Sequence, residues 1–116
     1  MGLEYHLANA VSISLFLYYG LACLFADGMI EEFRRYRLPQ FRRLIGALEV
    51  AGAVGLLAGY LIPQFSILSA SGLSVLMLMG LAVRMKVRDS FLEMMPAAFL
   101  LLLNAFIAIR AIGYLA

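Results

Sequence analysis

The sequence predicts an all-α integral membrane protein: an antiparallel four-helix transmembrane bundle with a short interfacial helix between its first and second spans. Three observations carry that prediction. The 116 residues are 65% hydrophobic and only 14% charged, with a mean hydropathy of +0.96. A soluble domain is nearer half apolar and a quarter charged, and so short a chain has too little interior to hide the excess. Four apolar runs, residues 7–26, 44–62, 65–83 and 94–115, each approach the roughly 20 residues that a helix needs to cross a hydrocarbon core about 30 Å thick. Finally, the basic residues are confined to two of the links between those runs.

The first run, "LANAVSISLFLYYGLACLFA", has no Lys or Arg before it and is longer than a signal-peptide core, so a retained helix is expected. Short links then make one domain over residues 1–116. The link after the first run holds Arg34, Arg35, Arg37, Arg42 and Arg43, and the link after the third holds Arg84, Lys86 and Arg88. The 63–64 turn and residues 1–6 hold none. By the positive-inside rule both long links face the cytoplasm, with both termini outside. The formal charge of +2 then reports topology and attraction to anionic lipid, and nucleic acid is not an expected partner.

The first link, "DGMIEEFRRYRLPQFRR", reads as a short interfacial helix ending near Pro39. Asp27 is placed to cap it, Glu31 and Glu32 favour its positive end, and Met29, Phe33 and Tyr36 recur at helical spacing. In the second basic link, Ser90 and Glu93 have capping-box spacing. That starts the fourth helix at the interface and puts Pro96 inside it, where a kink is expected.

The second run carries a carboxylate, Glu49, in "IGALEVAGAVGLLAG". A charge in a membrane helix is costly, faces the bundle interior and marks a functional candidate. Ala47, Ala51, Gly55 and Gly59 form one stripe of small residues at intervals of four, and Gly46, Gly52 and Ala53 flank Glu49 on another side. Such stripes let membrane helices approach closely, so this helix is expected to pack between two neighbours. Glu49 lies five residues past Leu44, about 7–8 Å inside the cytoplasmic boundary at 1.5 Å per residue. Helical side chains lean toward their own N-terminus, so Glu49 and Arg84 converge and an ion pair between them is expected. Arg42 and Arg43 are alternative partners. The expected pocket comprises Glu49, Arg84, Gly52 and Ala53.

Other polar groups read as structural. Arg110 is expected to snorkel or meet Glu4 or His6, Asn104 to bond across helices, and the serines to bond backbone carbonyls one turn back. The seven methionines read as packing. Cys23 is the single cysteine and His6 the single histidine, so one chain can form neither a dithiol nor a pair of axial haem histidines. No catalytic residues, metal site or cofactor is evident, and an autonomous enzyme is not expected.

The stretch "FRRYRLPQFRRLIGALEVAGAVGLLAGYLIPQF" resembles DoxX-like membrane proteins: an aromatic–basic loop ending in Leu-Pro, then Gly-x-x-Glu opening an apolar, glycine-rich helix that ends at a proline. "LMLMGLAVRMKVRDSFLEMMPAAFLLLLNAF" is similar to that family's third helix, basic tail, aspartate and Pro-Ala opening of the fourth. The resemblance covers roughly residues 33–107. It implies a four-helix bundle in the bacterial cytoplasmic membrane, with Glu49 matching the motif glutamate and Pro39, Gly46, Asp89 and Pro96 matching structural positions. The family is named for subunits of a thiosulfate:quinone oxidoreductase. The expected function is therefore a non-enzymatic accessory protein that binds a lipid-like or quinone-like molecule, or a partner protein, around Glu49. Membrane lipid, a protein partner or further copies of the chain are the expected partners. The alternative is a small proton-coupled multidrug-type transporter using Glu49 as its exchangeable carboxylate. Against it, such transporters carry their glutamate in the first helix, which has none here, and this chain lacks tryptophan.

Overall fold

The computed structural model describes residues 2–115, and among these it is helical with no strand. Five helices follow in order: α1 (Leu3–Phe25), α2 (Asp27–Arg35), α3 (Arg42–Ala58), α4 (Gln64–Lys86) and α5 (Phe91–Leu115), with a 3₁₀ turn at Pro39–Phe41 leading into α3. Of these, α1, α4 and α5 are long and apolar enough to cross a membrane. The segment expected to span over 44–62 yields a shorter helix, the 17-residue α3. Its chain then runs through a turn, so five residues (59–63) separate α3 from α4 where a two-residue connection was expected.

The small residues explain how α3 packs. α1 lies along α3, α3 along α4, α4 along α5, and α5 closes the ring on α1. A methyl group on Gly46 would fall 2.9 Å from both the Cys23 Cβ and the Gly20 carbonyl oxygen, so α1 and α3 cross backbone to backbone. On the other side, Gly52 receives the Leu73 side chain, and methyls on Gly55 or Gly59 would overlap Ser69 or Ser66 of α4. The helix is indeed held between two neighbours. The expected stripe is only half used, because Ala47 and Ala51 are exposed. The closest contacts come from glycines, where the missing Cβ lets the backbones approach.

The ring encloses a core of Phe16, Ala53, Leu56, Ala70, Leu73, Leu100 and Ile107. Asn104 does bond across helices: it accepts from the Ser12 hydroxyl (2.9 Å) and donates to the Leu100 carbonyl (2.9 Å), with both side chains fully buried. Arg110 of α5 meets Glu4 of α1 at 2.7 Å. Ser74 bonds the Ala70 carbonyl one turn back, as expected of a membrane serine.

Both basic links end their helices in the same way. Arg37 and Arg88 adopt left-handed backbone (φ 62° and 61°). The next amide donates back across the turn, Leu38 to Phe33 and Asp89 to Arg84, each at 2.9 Å. This is the closing bond of a Schellman motif. At the other end of α2 the expectation needs correcting, since Ala26 is the cap and Asp27 the first helical residue. For α5 the Ser90 hydroxyl accepts the Glu93 amide at 3.3 Å, the forward half of the capping box. Pro96 lies inside α5.

Candidate functional site

At the end of the ring where α1 finishes and α3 begins, the four long helices splay around a cavity of about 430 Å³. Its walls come from all of them: Phe16, Tyr19 and Cys23 of α1; Ile45, Leu48 and Glu49 of α3; Leu76, Met77, Gly80, Val83 and Arg84 of α4; Pro96, Ala97 and Leu100 of α5. The amphipathic α2, the 3₁₀ turn and the link between them close the end with Met29, Phe33, Tyr36, Leu38 and Phe41. The spacing of Met29, Phe33 and Tyr36 aligns them on one face, and that face roofs the cavity. A second hollow between α1 and α5 shares Tyr19, Pro96 and Leu100 with the first and is lined almost wholly by apolar side chains.

Glu49 stands in the wall of this apolar chamber. The residue is 6% exposed, and its Oε2 is buried with no hydrogen-bond partner. The Tyr5 hydroxyl and Asn9 Oδ1 are also buried without partners, and of the three atoms only Glu49 Oε2 belongs to a residue of the cavity wall. Such an atom carries a desolvation cost that calls for an explanation.

The expected Glu49–Arg84 pair is not formed. Both residues face the cavity, but Arg84 turns back to Asp89 (3.2 Å) in the link to α5. Asp89 also holds Arg35 of α2, which in turn bonds Glu32 at 2.8 Å. The Asp89 side chain is only 2% exposed. The Schellman turn at Arg88 is what swings Asp89 under the end of α4, within reach of a guanidinium five residues earlier. Tyr36 completes the hub: its hydroxyl donates to Glu32 (3.1 Å), and Arg35 and Arg84 lie over its ring at 5.0 and 5.4 Å. The Arg35 hydrogen bonds hold the Asp89 and Glu32 carboxyls below their ordinary values. Burial pushes the Tyr36 phenol up to about 12.

Arg42, the alternative partner, donates to the Cys23 and Leu24 carbonyls at the end of α1. It thereby satisfies backbone groups that a helix terminus leaves open. The two small residues expected in the pocket are elsewhere. Gly52 is filled by Leu73 and Ala53 is buried in the ring's core, neither of them in the cavity wall. They are packing residues: both lie one turn further along α3 than Glu49 on much the same face, where the Leu73 side chain and the ring's core already fill the space.

Sequence reasoning missed the aromatic and sulfur lining contributed by α1 and α2. The helical spacing of Met29, Phe33 and Tyr36 was the available signal for the roof. Cys23, at 2% exposure, carried none.

Comparison with known proteins gives one finding. A sequence model described as the DoxX-like family matches residues 7–106. No curated protein and no solved structure matches the chain.

Proposed function

The chain belongs to the DoxX-like family, and from that premise we propose that it is a non-enzymatic accessory protein that binds a membrane amphiphile in the cavity at Glu49. Membership and three apolar helices make it a multi-pass membrane protein. In our reading α3 is the fourth span, sandwiched between α1 and α4 and extended by its glycine-rich turn, and α2 lies in the interface. The positive-inside rule then puts α2 and the Arg84–Arg88 link on the cytoplasmic side of the bacterial inner membrane, with both termini outside.

The observation that carries the binding role is the unpartnered Glu49 Oε2 facing an apolar cavity. At about 430 Å³ the cavity falls within the roughly 300–1,000 Å³ typical of small-molecule sites, which are likewise apolar with few polar groups. In our reading the hollow between α1 and α5, which shares Tyr19, Pro96 and Leu100 with the cavity, is the way in from lipid. A lipid-like or quinone-like molecule has the required character: a polar head and an apolar body.

Native mass spectrometry of protein released from its own membranes tests this. A stoichiometric adduct is expected on the wild type and should be lost in Gly80→Leu, which fills the cavity from a position where an added Cβ meets nothing within 4 Å. A wild type with no adduct that also takes up none of its own membrane lipids would overturn the reading.

One observation favours the transporter reading: an exchangeable carboxylate must lack a permanent counter-ion, and Glu49 lacks one. Proteoliposomes decide between the two. Acid-driven uptake of a substrate that Glu49→Gln abolishes would establish transport, and binding without flux would establish the accessory role.

A further inference from the structure

We propose that the preferred occupant of the cavity is a lipophilic organic cation, its ammonium at Glu49 Oε2 and its apolar body against the rings of Phe16, Tyr19 and Phe33. The inference rests on the cavity being an amphiphile site and names the chemical class of the amphiphile.

The charges around the cavity select the sign. At the roof, Arg35 and Arg84 are matched by Glu32 and Asp89, so the hub is balanced within itself. Arg42 is engaged by the carbonyl end of α1, which is the negative end of that helix's dipole. Glu49 is the charged group of the wall that none of these cations reaches. An anionic occupant would meet its repulsion without relief. A neutral apolar one would leave Oε2 as it is, buried and unsatisfied. A cation with a hydrogen-bond donor satisfies both the charge and the lone pairs, and a charge-assisted bond is the stronger kind.

The wall is suited to such a body. Phe16, Tyr19, Phe33 and Phe41 present rings to the cavity beside Tyr36, whose face already carries two guanidinium groups. Cations are attracted to aromatic faces, and more strongly where water is excluded. A carboxylate without a counter-ion, set among aromatic rings in an apolar chamber, is complementary to a monocation with a hydrophobic tail. An aminophospholipid brings its phosphate next to its amine, and that phosphate finds the arginines of the roof already paired.

Three probes of one shape test the proposal in nanodiscs of zwitterionic lipid, with empty discs subtracting partition: 4-hexylbenzylamine, 4-hexylbenzyl alcohol and 4-hexylbenzoate, measured by equilibrium dialysis. The amine is expected to bind the wild type at one site per chain, at least tenfold more tightly than the alcohol, and the benzoate not at all. Glu49→Gln should bring the amine down to the level of the alcohol and leave the alcohol unchanged. Gly80→Leu should remove both, which places binding in the cavity even if the Glu49 variant fails to fold. Alcohol or benzoate binding as tightly as the amine to the wild type would overturn the cation while leaving the amphiphile site standing. An amine preference that survives in folded Glu49→Gln would do the same. Failure of all three probes to bind the wild type would overturn both.

Discussion

Two shielded acids, Glu49 and Asp89, live in opposite circumstances: Glu49 is a buried residue of α3, whereas Asp89 is a half-buried residue of a link whose carboxylate is covered by arginines. The Asp89 side chain is 2% exposed and is gripped by Arg35 and Arg84, tying α2, α4 and the start of α5 together. Glu49 is 6% exposed and its Oε2 is bonded to nothing. One carboxylate is therefore part of the scaffold, and the other is a cost that the scaffold carries. Shielding alone does not reveal which role a buried acid has. What distinguishes them is whether the nearest cation is free to turn toward the acid. Arg84 faces the cavity that Glu49 faces, yet a turn of chain brings Asp89 closer to it.

The contrast fixes opposite signs for mutation. Glu49→Met removes an unsatisfied polar group and keeps the side chain's length, so it is expected to stabilise the protein by about 2 kcal/mol. A raised melting temperature in detergent checks this, and a lowered one would mean that Glu49 has a structural partner.

Asp89→Asn should act in the other direction, by about 1–2 kcal/mol. Its partners shield it, but it sits at the edge of the molecule with solvated guanidinium groups, so a fully buried pair is the wrong reference. Acid should mimic this substitution. Asp89 and Glu32 have folded-state values held below their ordinary 3.8 and 4.5. Their contribution is complete above those ordinary values and is lost as pH falls from about 4.5 toward the lowered ones. The melting temperature should therefore drop below about pH 4.5, and the drop should be shallower in Asp89→Asn.

The smallest effect is the sharpest test. A double-mutant cycle on Arg84→Met and Asp89→Asn should show a coupling of about 0.5–1 kcal/mol, whereas the cycle on Arg84→Met and Glu49→Gln should be additive within about 0.5 kcal/mol. Coupling of Glu49 to Arg84 as strong as that of Asp89 would erase the distinction between the two acids.

Composition and charge placement determined the class of protein without help from tertiary structure. Hydrocarbon length, the separation of basic links and the DoxX-like spacing are local properties, legible residue by residue. The same holds for the Ser90–Glu93 cap, for the Met29–Phe33–Tyr36 face, and for the presence of close helix contacts on the second run. Partnership was not legible. Glu49 and Arg84 lean toward each other by rule, but side-chain direction sets only who is in reach, and the left-handed turn at Arg88 decided the competition in favour of Asp89. Likewise Gly52 and Ala53 flank Glu49 in sequence, yet the crossing of α3 between α1 and α4 makes them packing surface, and the cavity is shared between the first turns of α3 and residues of α1, α2, α4 and α5. An ion pair and a cavity depend on how several helices divide space among themselves, and that division is made by the packed bundle as a whole.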